Sequence, residues 1–288
     1  MPLPWTLGAD FAGAITATGV RVEPGRVGER VWVLHKLTCL ECEYCLAGKD
    51  NLCVRSQMWG VDRPGGYAEV IAVTAWAAFP LAENVTFEVA AASQAGWVTA
   101  WHMLMGRGRV RPGESVLVIA AGSGVGLAAL QVAKLGGAEV IATAGSERKL
   151  ALALEEGADH VIDHHQDDVT TRVLKLTSGR GVDLVIDNVG GDVFVSALKT
   201  LRKDGRLVFC RAHGGAVVPF DLIEALRSEW SVIGARTGTT AEHQLIMEMV
   251  TQGKLRPRIH AALPLEQVAE AHRILEESEQ FGRVVVTP

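Results

Sequence analysis

The stretch Val116-Leu-Val-Ile-Ala-Ala-Gly122-Ser-Gly124-Val-Gly126-Leu-Ala-Ala-Leu-Gln131-Val-Ala-Lys134 constrains the fold more than any other part of the chain. Val116 to Ile119 is an apolar run suited to a strand covered on both faces. Gly122, Gly124 and Gly126 follow it with a turn in which backbone can approach another group closely. Leu127, Leu130 and Ala133-Lys134 then keep helical spacing. A second strand, Glu139-Val-Ile-Ala-Thr143, completes a βαβ unit. Unpaired N–H groups at the start of that helix, aided by its dipole, can hold a pyrophosphate. A bare glycine cluster is weak evidence, but one that leaves a strand and opens a helix points to dinucleotide binding. Two other readings compete: a glycine-rich crossover without a ligand, and a membrane span, for which Val116 to Ala133 is long enough. The glycines, Ser123, Gln131 and the strand–helix alternation that follows argue against the span.

That alternation extends down the chain. His160-Val-Ile-Asp163, Val182-Asp-Leu-Val-Ile-Asp187, Gly205-Arg-Leu-Val-Phe-Cys210 and Ser231-Val-Ile-Gly-Ala235 read as further strands. Helices are expected after Ser146, over 169–177, 193–201, 241–253 and 265–276. Strands and helices alternating at this rate mean an α/β fold with a doubly wound parallel sheet. The first third is different. Short apolar runs parted by Gly and Pro, such as Phe11-Ala-Gly-Ala, Val31-Trp-Val, Gly65 to Val73 and Trp76 to Pro80, read as β-strands with turns. Thr86 is an expected helix N-cap. The tail, Gly282-Arg-Val-Val-Val286, is a final strand.

Cys39, Cys42, Cys45 and Cys53 form a C-x2-C-x2-C-x7-C cluster. Four thiolates in one loop-rich segment suit a tetrahedral zinc with no open position, hence a structural one; an iron–sulfur cluster is the minor alternative. Clustered thiols of this kind are not the disulfide framework of a small secreted domain. Cys210 stands apart and is expected to be a buried strand residue. A net charge of −5 without a basic cluster argues against nucleic-acid binding. Met1-Pro-Leu-Pro-Trp5 lacks the pattern of a signal peptide, so a cytoplasmic location is expected.

The stretches Leu7-Gly-Ala-Asp-Phe-Ala-Gly13, Cys39 to Cys53, Val118-Ile-Ala-Ala-Gly-Ser-Gly-Val-Gly126, Ala142-Thr-Ala-Gly-Ser-Glu-Arg-Lys149, Asp187-Asn-Val-Gly-Gly191 and Gly282-Arg-Val-Val-Val286 together resemble the medium-chain dehydrogenase/reductase superfamily. That superfamily includes zinc-type alcohol dehydrogenases and NADPH:quinone reductases. The resemblance spans essentially the whole chain. It implies a GroES-like β-rich catalytic domain, 1–97 and 240–288, with a four-cysteine zinc lobe at 36–56. It implies a Rossmann NADP-binding domain at 98–239. It places the cofactor on Gly122, Ser123, Gly124, Val125, Gly126, Ser146, Arg148, Lys149, Asn188 and Val189, and a metal on Cys39, Cys42, Cys45 and Cys53. Homodimers or homotetramers are common in the family. Its pattern also places further strands ahead of Leu7, so the chain is expected to be N-terminally shortened.

Two departures bear on chemistry. The zinc alcohol dehydrogenases carry Gly-His-Glu where this chain has Gly8-Ala9-Asp10, and a later zinc ligand falls near Gln94 or Ala95. Three protein ligands are needed for a catalytic zinc, so none is expected here. The turn aligns as Ala121-x-Ser123-x-x-Gly126, a small-residue form similar to the quinone-reductase branch.

Selectivity for NAD requires an acidic residue at the end of the second strand. Glu139 begins that strand instead, and its end runs into Ser146, Arg148 and Lys149, a hydroxyl and two cations suited to a 2′-phosphate. NADPH is therefore expected, against the alternatives that Ser146 only caps a helix and that the cations form a solvated face. His164 is placed either against the adenine or on the surface. No residue stands out as a general acid; Trp97, Trp101 and His102 are cleft-lining or core residues. The expected activity is hydride transfer to a quinone or α,β-unsaturated carbonyl. The alternatives are an alcohol dehydrogenase and a non-catalytic nucleotide-binding protein.

Overall fold

The computed structural model describes residues 3–288. The chain divides into two compact units: Met1–Val98 with Gly238–Pro288, and Thr99–Thr237.

The first unit opens with β1 (Phe11–Ala14) and β2 (Arg30–Val33), antiparallel with Phe11 opposite Val33. Strands β3 (Lys36–Leu37) and β4 (Gln57–Met58) form a short ladder, and β5 (Ala78–Pro80) closes a three-stranded sheet β1-β2-β5. Between β3 and β4 lies the cysteine segment, with the one-turn helix α1 (Glu43–Leu46). Trp32 anchors the core, stacked on Phe79 with ring centroids 4.8 Å apart. Gly65 to Val73 is not a strand. The start of its backbone bonds to the N-terminal segment instead, Gly65 N to Thr6 O, Gly66 N to Gly8 O and Tyr67 N to Leu7 O, and Val70 is exposed. Helix α2 (Phe87–Ala92) starts at Thr86, whose hydroxyl accepts from Val89 N. Helix α3 (Ala95–Trp101) leads into a π-helical segment, His102–Gly108. Trp97 is buried, while Trp101 and His102 are half-buried.

The second unit is built on a parallel sheet in the order β11-β10-β9-β6-β7-β8. In chain order its elements are β6 (Ser115–Val118), α4 (Gly124–Leu135), β7 (Glu139–Ala144), α5 (Glu147–Glu155), β8 (His160–Asp163), α6 (Val169–Leu176), β9 (Val182–Asp187), α7 (Gly191–Leu198), β10 (Leu201–Phe209), α8 (Leu222–Ser228) and β11 (Ser231–Gly234). Every residue of β6 and β9 is buried, as expected of central strands with helices on both faces. Val116 pairs with Val140 on one side and Leu184 on the other. Leu117, Ile141, Val185 and Leu207 fill one core cluster with Phe194 and Leu198 of α7. Burying each such side chain stabilises by about 1.5–3 kcal/mol. Two sequence expectations shift here. Leu201 begins β10 rather than ending α7, because it pairs with Val182 ahead of a register shift. Cys210 lies one position beyond β10 and is half-buried; its N–H still donates to Asp187 O.

The chain returns to the first unit through α9 (Thr240–Thr251), β12 (Ile259–Pro264), α10 (Val268–Glu276) and β13 (Arg283–Thr287). Strands β12 and β13 pair parallel. Among the described residues no helix is long and apolar enough to cross a membrane.

Candidate functional site

The glycine turn is built as its sequence demands. Ala120 leaves β6 in the left-handed region at φ 53°, and its N–H donates to Thr143 Oγ1 at 3.0 Å. Ser123 caps α4 by accepting from Gly126 N at 2.9 Å. At Gly126 the helix start lies so close to the strand exit that a Cβ would sit 2.2 Å from Ala120 O. Gly122 is buried beneath this turn, and Gly124 and Val125 open the helix. Their N–H groups belong to the first helical turn, which has no intrahelical carbonyl to serve it. Such a turn is able to hold an anion.

Asn188 and Val189 reach this turn from the end of the neighbouring strand β9. Asn188 Nδ2 donates to Ile119 O at 2.8 Å, and Ser123 Oγ donates to Asn188 Oδ1 at 3.4 Å. Asp187 holds the loop by accepting from Val189 N at 2.7 Å and Gly190 N at 3.1 Å. Burial pushes the Asp187 carboxyl above its usual range, against those two bonds. Gly191 is needed for contact: at φ 61°, a Cβ there would lie 2.1 Å from Gly214 O in the loop after β10.

A cavity of about 350 Å³ opens at the carboxyl ends of β6 to β9, lined by Ile119, Thr143, His164, Val169, Val189 and Val193. The strand order reverses between β6 and β9, the place where open α/β sheets take their ligands. Of the sequence-derived residues, Val189 lines this cavity, while Ser123, Gly126 and Asn188 meet one another at the turn. Ser146, Arg148 and Lys149 sit at the end of β7 and the start of α5. Ser146 caps α5, accepting from Lys149 N at 3.4 Å. Burial first, then Arg148, holds the Lys149 ammonium below its usual range. Glu139, the only carboxylate of β7, is exposed at the opposite end of the strand, 3.1 Å from His160.

In the first unit, Cys39, Cys42, Cys45 and Cys53 converge with all four sulfurs within 4.8 Å of one another. Cys42 Sγ lies 3.5 Å from Cys45 Sγ, and Cys53 Sγ 3.5 Å from Cys39 Sγ. Cys42 N donates to Cys39 Sγ at 3.3 Å, and Cys39 N to Cys53 Sγ at 3.3 Å. Backbone donation at Glu41 helps bring the Cys39 thiol down to about 6, whereas burial and then Cys42 push Cys45 up to about 12. Four thiolates this close need a cation to ionise together, and the donor set fits a closed tetrahedral zinc. When bound, zinc would tie the lobe together and supply no reactive position. The lobe is fastened to α9 by Asp50, whose carboxylate accepts from Thr240 N at 3.1 Å and from the Thr240 hydroxyl.

The residues that the family pattern would offer a second, catalytic zinc do not fit it. Ala9 has no donor. Asp10 is fully engaged: Oδ2 accepts from Arg283 Nη2 at 2.5 Å and Oδ1 from Ala95 N at 3.3 Å. Gln94 is buried and spends its amide N–H on Phe11 O at 2.8 Å. A feature that no sequence signal marked lies nearby in the same unit. His35 and His243, both buried, face each other with Nδ1 and Nε2 2.8 Å apart, and His243 stacks on Trp32.

A strand–turn–helix phosphate cradle at a sheet switch point, in a chain that also carries a four-thiolate lobe, defines a dinucleotide-binding dehydrogenase. The family models agree: residues 124–252 match "Zinc-binding dehydrogenase" and residues 1–83 match "Alcohol dehydrogenase GroES-like domain". The chain is 33% identical over 287 residues to the NAD-dependent alcohol dehydrogenase of Sulfolobus acidocaldarius, covering 99% of this chain and 82% of that one. It is 29% identical over 294 residues to the quinone oxidoreductase of Mus musculus, covering 99% and 80%. A crystal structure of an NAD-dependent alcohol dehydrogenase superposes with a TM-score of 0.93 at 40% identity, covering 100% of this chain and 84% of that one. The chain belongs to the medium-chain dehydrogenase/reductase superfamily and is an oxidoreductase.

Proposed function

We propose that this protein uses NADPH to reduce a quinone or an α,β-unsaturated carbonyl, with one structural zinc on Cys39, Cys42, Cys45 and Cys53 and no zinc at the reacting centre. The observation that carries this reading is the state of Asp10. Its two oxygens accept from Arg283 and Ala95 N, Ala9 offers no donor atom, and Gln94 offers only its unpaired neutral Oε1, so three ligands for a metal do not stand open there. Reducing an isolated carbonyl develops alkoxide charge that a metal ion stabilises by several kcal/mol. Hydride addition to an enone or quinone spreads that charge into an enolate or phenolate, which water can protonate. Such a reaction asks the protein mainly for positioning. When bound, the nicotinamide supplies the hydride. Ser123, Gly126 and the N-terminal turn of α4 would hold its pyrophosphate, and Asn188 would keep the β9 loop against that turn.

The preference for NADPH rests on the end of β7, which has no carboxylate for a ribose hydroxyl and leads instead to Arg148 and Lys149. The chain is further read as a cytoplasmic homodimer or homotetramer. Support for assembly comes from β11, an edge strand beside α8, where Leu222 and Leu226 are each 72% exposed.

The test is elemental analysis of purified protein followed by turnover on a panel of quinones, enones and primary alcohols with NADPH and NADH. One zinc per chain with quinone or enone reduction supports the reading. Two zinc per chain with alcohol oxidation would replace it with an alcohol dehydrogenase, the activity named for the Sulfolobus relative.

A further inference from the structure

Two adjacent histidines in the loop after β8, His164 and His165, have no part in the chemistry above. Their rings meet edge to face, with centroids 4.5 Å and planes 62° apart. The loop is pinned by His164 N donating to Ala144 O at 3.2 Å and His165 N to Asp163 Oδ1 at 2.9 Å. Both Nε2 atoms converge on Gly145, the residue that follows β7. A Cβ built on Gly145 would lie 2.6 Å from His165 Nε2 and 2.9 Å from His164 Nε2. A glycine is thus what lets two imidazoles close over the end of this strand. His164 also lines the 350 Å³ cavity beside Thr143.

Charged groups reach His164 from each neighbouring element. The first turn of α5 contributes Lys149, beside Arg148, and β8 contributes Asp163. The start of α6 contributes Asp167 and Asp168, which also line the cavity; Asp167 lies 3.6 Å from Arg172, and Asp168 caps α6 by accepting from Thr171 N at 2.7 Å. Burial, then His165, then Lys149 act against the charged form of His164, and Asp163 acts for it. Arg148 likewise acts against Lys149. His164 and His165 are thus brought together over a residue without a side chain, with Lys149 opposing His164 in charge and Arg148 opposing Lys149. An anion of more than one charge relieves that opposition, and a phosphate offers acceptors for all four.

We propose that His164 and His165 complete, with Arg148 and Lys149, a pocket for the ribose 2′-phosphate of NADPH, and that His164 takes up a proton when the phosphate enters. The inference rests on the NADPH reading above and adds to it two discriminating residues and a pH dependence. Proton uptake on binding makes the affinity for a 2′-phosphate rise as pH falls, by linkage. A nucleotide without that phosphate has no such partner and no such slope.

The test measures dissociation constants of adenosine 2′,5′-bisphosphate and of AMP by calorimetry from pH 8.5 to 6.5, for wild type, H164Q, H165Q, the double variant and R148A. In wild type the bisphosphate is expected to tighten by about fivefold or more across this range while AMP changes less than about twofold. The double variant loses the slope, and R148A weakens the bisphosphate at every pH. Calorimetry in two buffers of different ionisation enthalpy reads the proton uptake directly, and a merely structural role for the loop would not produce it. If wild type prefers the bisphosphate, R148A abolishes that preference and the double variant keeps both preference and slope, the histidine inference is overturned and NADPH stands. If wild type binds the bisphosphate no better than AMP at any pH, both fall.

Discussion

His35 Nδ1 lies 2.8 Å from His243 Nε2, joining β2's exit to the first turn of α9 across 208 residues of sequence. At that distance one nitrogen must carry the proton and the other must not, so the contact is a hydrogen bond only while at least one ring is neutral. Burial holds both rings below the usual histidine range. For His243 the neighbouring His35 adds to this, and for His35 the Asp10 carboxylate opposes it and Lys36 adds to it.

The sign follows from linkage. The unfolded chain protonates these histidines near 6.5, the folded chain only at lower pH, so their contribution is complete above about 6.5 and is lost as pH falls below it. Each tenfold disfavouring of protonation in the folded state corresponds to about 1.4 kcal/mol. Thermal melts from pH 8 to pH 5 are expected to show a falling midpoint in wild type. In His243→Leu the midpoint is lower at pH 8 but the slope is shallower. An unchanged slope in that variant would count against the pair as the acid-sensitive element.

The cysteine lobe makes a different pH statement. With Cys45 held up near 12 and Cys39 down near 6, loading zinc must release protons, chiefly from the thiols that ionise last. Zinc occupancy at a fixed chelator concentration is expected to fall as pH is lowered, and Cys45→Ser is expected to lose the metal. Elemental analysis of the variant after gel filtration decides it: one retained zinc would mean the lobe is not the binding site.

Gly126→Ala places a methyl 2.2 Å from Ala120 O, and neither backbone can retreat without disturbing β6 or the Ser123 cap. A loss of about 1–3 kcal/mol is expected from such overpacking. Dinucleotide affinity is expected to fall with it, since the same turn forms the cradle. Equilibrium denaturation and a binding titration on the same preparation check both. Wild-type affinity in this variant would remove the turn from the cofactor site.

Asp10→Asn should act through Arg283. The pair is partly shielded, with side-chain exposures of 10% for Asp10 and 28% for Arg283. Its loss is therefore expected to cost about 2 kcal/mol, between the exposed and buried cases. A double-mutant cycle with Arg283→Met measures the coupling. No coupling would leave Asp10 available for another role, including the metal ligation that the proposed function denies it.

What the sequence made legible was local. The cysteine spacing, the strand into the glycine turn, the Thr86 cap and the alternative reading of Ser146 as a cap each lie within a few residues, and each stands where the pattern puts it. Pairings across the chain left no trace. Asp10 meets Arg283 273 positions later, and Asn188 serves Ile119 and Ser123 from another strand. Two lone histidines carry no signal at any spacing. Elements were misjudged where side-chain pattern and backbone pairing part company. Gly65 to Val73 has strand-like residues, but the N–H groups of its first three residues are taken by residues 6–8 and it joins no strand ladder. Strand β12 hides behind Arg256-Pro-Arg258, and α8, with most of its apolar residues exposed, lacks the buried stripe that marks a packed helix.

Asp50 and Thr240, joined at the start of α9, are made at different times. A ribosome adding about 5–20 residues per second needs roughly 10–40 s to cover the 190 positions between them. Through that interval the cysteine lobe and β1–β5 exist without α9, β12 or β13, and Asp10 waits for a partner 273 positions further on. The six-stranded sheet, contiguous in sequence, has all its strands before the unit around it does. A nascent chain stalled before Arg283 would thus carry one unit complete and the other open, a state in which early zinc capture by the lobe would be the main protection of the unfinished half.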